Sequence, residues 1–222
     1  LKKKPKIMSK IQILPPEIVA KIAAGEVIDR PASVLKELLE NSLDAGADSI
    51  EVNLKGAGKT LIQVKDSGAG IDNEDLEGIF SRHATSKIQS SDDLYRIASL
   101  GFRGEALYSI SAVSDTPMRT KTAPAEHGWE IHLRANEKLA LKPATLNTGT
   151  EVSVKELFFN TPARKKFLKS NSAELNYALD VFLPYTLLYP ERMFTLAHEE
   201  RKIIELSPQP DFISRVAEAL RL

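Results

Sequence analysis

Three stretches carry polar side chains or glycines placed where they could meet a ligand. In Val34-Leu-Lys-Glu-Leu-Leu-Glu-Asn-Ser-Leu-Asp44, a helical period puts Val34, Leu35, Leu38, Leu39 and Ser42 on one inward face. Glu37, Asn41 and Asp44 form a polar stripe at i, i+4 and i+7 along its border, with Lys36 and Glu40 turned further toward solvent. A carboxylate and an amide one turn apart can project together into a cleft, although by spacing alone the stripe reads as the surface of an amphipathic helix. Asp66 continues the alternating row Ile62, Val64, Asp66 just before Gly68 and Gly70. An inward carboxylate needs a donor or water. It can cap the turn's own backbone, the commoner role, or accept from a ligand's amino group while the glycines let a flat ring approach. In Leu100-Gly-Phe-Arg-Gly-Glu-Ala-Leu107, glycines leading into a helix start offer N–H groups suited to an anion or phosphate.

A fourth stretch misleads. Gly56-Ala57-Gly58-Lys59-Thr60 looks like the end of a phosphate-binding P-loop, but position 53, where the signature needs Gly, is Asn. Ser49–Lys55 and Thr60–Asp66 both alternate as strands, so the segment is expected to be a hairpin turn with no helix behind it. The Arg164-Lys165-Lys166 run reads as a solvated face. His83, His127, His132 and His198 show no metal-ligand spacing.

These residues must be positioned by a chain of 222 residues, enough for one substantial core. Apolar residues make up 42% and charged ones 27%, with 30 basic against 30 acidic. The balance points to neither nucleic acid nor membrane as a partner by bulk charge. Without Cys there is no disulfide framework, thiolate zinc site or cysteine nucleophile. No apolar run approaches a membrane span, and the N-terminus lacks the apolar core of a signal peptide.

The pattern predicts a short helix from Glu17 to Ala24 stopped by Gly25, then a second from Pro31 to about Asp44 before Gly46. The hairpin follows, then a short helix after Asp72-Asn-Glu-Asp75. Phe80 to Leu100 is polar and loosely patterned, as lids and binding loops often are, with a short helix after Ser91-Asp-Asp93. A helix over Glu105–Ser111 leads to strands at Pro117–Thr122, Gly128–Leu133, Leu139–Lys142 and Thr150–Val154. Helices at Pro162–Leu168 and Ala173–Leu188, strands at Met193–His198 and Lys202–Leu206, and a last helix complete the chain. The order is α+β: a two-layer sandwich of a mixed, mostly antiparallel sheet with helices on one face. Residues 1–10 are expected to be a flexible extension, 11–210 one domain, and 211–222 the beginning of a second.

Together, Glu37-x-x-x-Asn41, Asp66-x-Gly-x-Gly70, the polar segment with its Gly-rich helix start, and Gly149-Thr150 resemble the Bergerat-type ATP site. That site is shared by gyrase-type topoisomerases, large heat-shock chaperones, histidine kinases and MutL mismatch-repair proteins. Ile-Ala-Ala-Gly-Glu-Val-Ile-Asp-Arg-Pro-Ala-Ser-Val (22–34), Glu-Asn-Ser-Leu-Asp-Ala-Gly-Ala (40–47), Arg-His-Ala-Thr-Ser-Lys (82–87), Leu-Gly-Phe-Arg-Gly-Glu-Ala-Leu (100–107) and Phe-Asn-Thr-Pro-Ala-Arg-Lys-Lys-Phe-Leu (159–168) are typical of MutL. The resemblance runs from about Ile11 to the end. Asp66-Ser67-Gly68 departs from the more usual Asp-Asn-Gly, and the lost amide bears on a local contact.

The resemblance implies ATP and Mg²⁺ as ligands and slow ATP hydrolysis as the activity. Glu37 is expected as general base and Asn41 as the magnesium ligand, with Asp44 beside them. Asp66 is expected to accept from the adenine amino group, with Gly70 and Thr150 completing the base pocket. Thr85, Ser86 and Lys87, and the backbone of Leu100, Gly101, Phe102, Arg103, Gly104, Glu105, Ala106 and Leu107, would close over the phosphates. It further implies nucleotide-dependent homodimerisation of N-terminal regions, contacts with a mismatch-recognition protein and other repair proteins, and mainly non-specific DNA binding. The place of action would be the bacterial cytoplasm, or the nucleus in a eukaryote. Relatives complete their ATPase region with a second domain that supplies a Lys to the γ-phosphate, so this chain alone is expected to bind ATP with little turnover. A topoisomerase-like ATPase and a nucleotide-gated interaction module are the competing readings; Phe-Asn-Thr-Pro-Ala-Arg argues against the first.

Overall fold

The structure, a computed structural model, describes residues 15–81, 84, 99–101 and 104–220. Pro15 and Pro16 open helix α1 (Pro16–Val27), where a missing N–H costs nothing because the first helical N–H groups have no intrahelical acceptor. The helix does not stop at Gly25 as expected but runs on to Val27. Gly25 instead makes room: a Cβ there would fall on the Arg164 guanidinium. Arg164 lies against α1 through that gap and is only partly exposed, while Lys165 and Lys166 of the same basic run face solvent as expected.

Helix α2 (Pro31–Asp44) forms as its period indicates. Val34, Leu35 and Leu39 are fully buried and Leu38 and Ser42 nearly so. Each large apolar side chain on this face contributes about 1.5–3 kcal/mol of burial, which fixes the rotation of α2 and so the direction of its polar stripe.

Strands β1 (Ser49–Lys55) and β2 (Leu61–Asp66) form the expected hairpin, with Ile50 opposite Asp66 and Lys55 opposite Leu61. Gly56–Gly58 is a single 3₁₀ turn between them, so the Gly-Lys-Thr segment has strands on both sides. The helix expected after Asp72 gives way to two 3₁₀ turns, Asn73–Asp75 and Gly78–Phe80, without a side-chain cap from Asp72. Ile71 N–H is bound to Thr120 Oγ1 at 2.9 Å and Leu76 is fully buried, so tertiary anchors hold this segment at both points. The helix expected after Ser91-Asp-Asp93 lies outside the described residues.

Helix α3 (Ala106–Ala112) leads to β3 (Asp115–Lys121), β4 (Gly128–Arg134), β5 (Glu137–Ala144) and β6 (Gly149–Lys155). Helices α4 (Pro162–Phe167) and α5 (Asn171–Leu188), strands β7 (Met193–His198) and β8 (Arg201–Leu206), and helix α6 (Phe212–Leu220) follow. The eight strands make one sheet in the order β5-β4-β3-β6-β2-β1-β7-β8. Among the described strands only β1 and β7 are parallel neighbours, with α5 carrying the chain from β6 to the start of β7; all other neighbours are antiparallel. Ile50, Val52, Leu54, Ile62, Val64, Val152, Val154, Phe194 and Leu196 face the helices as one core, and the alternating positions Glu51, Asn53, Gln63 and Glu151 leave the other face polar. The α+β sandwich is as expected.

The last helix is held by a buried cation. Arg215, fully buried, donates to the carbonyls of Pro190 and Arg192, each at 2.6 Å, and to Glu218 at 3.0 Å. Among the described residues no helix is long and apolar enough to cross a membrane.

Because α2 carries the polar stripe, its packing decides whether that stripe is held in place. Leu39→Ala is expected to lower unfolding stability by about 2–5 kcal/mol in chemical denaturation; a loss below about 1 kcal/mol would show that α2 is positioned by something else.

Candidate functional site

The three stretches singled out in the sequence meet at one cavity of about 1390 Å³. Glu37, Asn41 and Asp44 line it from α2, and Asp66, Gly70 and Thr150 from the ends of β2 and β6 and the turn between β2 and β3. Leu100, Gly101, Gly104, Glu105, Ala106 and Leu107 line it from the start of α3. Thr85, Ser86, Lys87, Phe102 and Arg103 lie outside the described residues, as does His83.

Asp66 sits where strand pairing, helix and turn converge. Its Oδ1 accepts Gly68 N–H at 2.9 Å and Thr150 N–H at 3.2 Å, and its Oδ2 accepts Ser42 Oγ–H at 3.0 Å. The turn-capping role and the cavity-facing role are therefore compatible: one oxygen serves the backbone, and the other is held by a hydroxyl at the cavity wall. Burial pushes the Asp66 carboxyl above its ordinary range, opposed by these three bonds. For an acid whose folded-state pKa is raised, the fold carries no penalty below the ordinary carboxylate value. The penalty grows between that value and the raised one and is complete above it. Asp66 thus costs stability at neutral pH.

Two hydroxyls support this corner. Thr120 Oγ1 receives Ile71 N–H at 2.9 Å and lies 3.1 Å from the Gly149 carbonyl and 3.0 Å from Thr150 Oγ1, so β3, β6 and the turn after Asp66 share one anchor. Ser67, standing where Asn is more usual, accepts the N–H groups of Asp48 and Ser49 at 3.1 and 3.0 Å. The hydroxyl thereby ties the turn to the start of β1.

The glycines of this turn act differently from the sequence expectation. A Cβ on Gly70, whose φ is +75°, would fall on the Lys121 carbonyl, and one on Gly68 would come within 2.7 Å of Ala45 Cβ and 2.9 Å of its carbonyl oxygen. Both missing side chains point at the protein. They let the turn close onto α2 and β3, a contact sealed by Ala69 N–H on the Ala45 carbonyl at 2.9 Å.

On α2, Glu37 and Asn41 reach the cavity from successive turns. Asp44 receives the N–H groups of Leu100 and Gly101 at 2.9 and 3.1 Å, one on each carboxylate oxygen. Those two N–H groups, expected to face phosphate, are held by α2 in this structure. Glu40 corrects the helical reading: it is 8% exposed, not solvent-facing, because α5 lies over it and Tyr185 Oη donates to it at 2.6 Å.

Ser42 was legible only as part of the inward face. A lone hydroxyl in a row of Val and Leu is a signal, since an inward polar group must find a partner. Thr120 and Tyr185 carried no such mark. Elsewhere, His132 pairs with Asp115 at 2.6 Å, His127 stacks near Trp129 and His198 lies beside Glu199. No group of three or more His, Cys, Asp or Glu is arranged to hold a metal among the described residues.

Residues 29–152 match the family described as histidine kinase-, DNA gyrase B-, and HSP90-like ATPase. The DNA mismatch repair protein MutL of Mannheimia succiniciproducens is 49% identical over 189 residues, covering 85% of this chain and 30% of that protein. MutL of Thermodesulfovibrio yellowstonii is 45% identical over 97% of this chain and 39% of its own length. The chain thus spans between 30% and 39% of the length of these relatives. The Aquifex aeolicus MutL ATPase domain complexed with ADP shares 37% identity at a TM-score of 0.74, covering 88% of this chain and 70% of that one. With the family match spanning more than half of the chain and an ATPase domain this similar in sequence and fold, the chain belongs to the histidine kinase-, DNA gyrase B- and HSP90-like ATPases, on their MutL branch.

Proposed function

We propose that this chain binds Mg-ATP in the cavity between α2, β2 and α3 and that, within a longer protein, slow hydrolysis gates dimerisation and contact with DNA and repair partners. The observation that carries this is the convergence of Glu37, Asn41 and Asp66, from separate segments, on one hollow. The Aquifex relative's ADP complex supports it by analogy of fold and sequence.

In this reading Asp66 Oδ2, steadied by Ser42, accepts from the adenine amino group, and Thr150 and Gly70 close the base pocket. Acidic side chains in the described lining far outnumber the two basic ones, Arg30 and Lys36, so a triphosphate would meet strong repulsion unless a cation came with it. That lining fits a divalent ion, with the Asn41 amide oxygen as its protein ligand. The chemistry such an ion would supply there is neutralisation of the phosphate charge. Glu37, one turn away, would orient water at the γ-phosphate and take its proton, a role typically worth about 10²–10⁴-fold. Asp44 would serve by holding Leu100 and Gly101, the backbone that leads into the phosphate-facing start of α3. Thr85, Ser86, Lys87, Phe102 and Arg103 would complete the closure over the phosphates. Cytoplasmic action fits the bacterial relatives.

Three measurements test this. Mg-ATP at about one hundred times its Kd should raise unfolding stability by about 2.7 kcal/mol; no shift at saturating Mg-ATP would overturn nucleotide binding. Asp66→Asn should keep the fold, since it removes a buried charge, yet weaken ATP about 10–100-fold; unchanged affinity in calorimetry would remove Asp66 from base recognition. Glu37→Ala should bind ATP as the parent does and abolish turnover in a chain extended through the following domain, which itself should hydrolyse ATP faster than the 222-residue chain. Equal rates in the two lengths would sink the need for a second domain.

A further inference from the structure

Glu40 lies between the two α2 residues given roles above: three positions after Glu37 and directly before Asn41. It is buried where α5 crosses α2, and one oxygen, Oε1, takes both hydrogen bonds that Glu40 receives from the described residues. Tyr185 Oη donates to it at 2.6 Å and Lys36 Nζ at 2.8 Å. Burial, and after it the bond to Glu40, push the Tyr185 phenol well above its ordinary range, so the phenol remains a donor throughout the neutral pH range. The second oxygen, Oε2, receives no donor from the described residues, although Glu40 lines the cavity. On a cavity wall such an oxygen is open to water, which can donate to it.

We infer that Glu40, pinned by Tyr185, is a positioning residue for a hydrated divalent cation held at Asn41. Oε2 accepts from cation-bound water, while the bond from Tyr185 locks the turn that carries Glu37 and Asn41 against α5. Metal ligands are commonly oriented by such outer partners, and loss of one typically weakens metal binding about 10–100-fold. The inference rests on reading the cavity as a Mg-nucleotide site. A plain structural tie between α2 and α5 would have a different signature. The Glu40 charge opposes a bare triphosphate and favours a metal-bound one, so removing it should shift the two affinities in different directions. Loosening a structural tie would weaken both.

The test is calorimetric ATP binding to the chain with EDTA and at stepped Mg²⁺, for the parent, Glu40→Gln and Tyr185→Phe. Glu40→Gln is expected to bind metal-free ATP as well as the parent or better, while the Mg²⁺ concentration giving half of the full affinity gain rises about tenfold. Tyr185→Phe should raise that midpoint in the same direction by a smaller factor, with metal-free affinity unchanged, and it decides the matter if Glu40→Gln fails to fold. An unchanged Mg²⁺ midpoint in a folded variant, or parallel loss of metal-free and metal-dependent affinity, overturns the positioning role. Failure of the parent itself to bind ATP at any Mg²⁺ concentration would instead overturn the nucleotide reading beneath it.

Discussion

The burial of one carboxylate organises the site. Asp66 ends a strand inside the sheet, where ionisation is disfavoured, and three donors from three places hold it there: a turn, a neighbouring strand and a helix. Each donor fixes a different part of the architecture. Thr150 N–H belongs to the β2–β6 ladder, Gly68 N–H sets the turn, and Ser42 ties α2 to the sheet. A half-buried charge arranged in this way is weak evidence of a device for stability, because its desolvation offsets much of what its bonds contribute.

Around this corner the backbone closes tightly. Glycines 68 and 70 let the turn touch Ala45 and Lys121, and Thr120 gathers three segments onto one hydroxyl. The result is a rigid wall on the side where a ring would be recognised. The opposite wall is built from α2 and the approach to α3, joined by Asp44 through two backbone N–H groups. The two walls of the cavity are thus elements with different restraints: a sheet corner on one side, a helix face and a tethered backbone segment on the other.

Helix α2 belongs to both. Its apolar face is fixed by the core, its C-terminal end by the turn after Asp66, and its outer flank by Tyr185 of α5. Rotation of the helix by even one residue would carry Glu37 and Asn41 away from the cavity. This is why contacts lacking any reactive group, such as the Leu39 packing and the Glu40–Tyr185 bond, matter to a reading of the site.

The sequence alone determined the elements and their order, because period and turn chemistry are local: the α2 stripe, the hairpin that rules out a P-loop, and the alternation that turns Asp66 inward all follow from neighbouring residues. Long motifs likewise identified the family before any contact was known. Local rules misjudged Gly25, Glu40 and the segment after Asp72, each governed by a distant partner: Arg164, Tyr185, and the pairing of Ile71 with Thr120. The glycines of the Asp66 turn are a subtler case, since the residue type was right for a close approach but only the fold shows what approaches. Tertiary structure decided which of many polar residues share a cavity, because that depends on bringing Asn41, Asp66 and Thr150 together across more than a hundred residues of chain, a separation on which no periodicity bears.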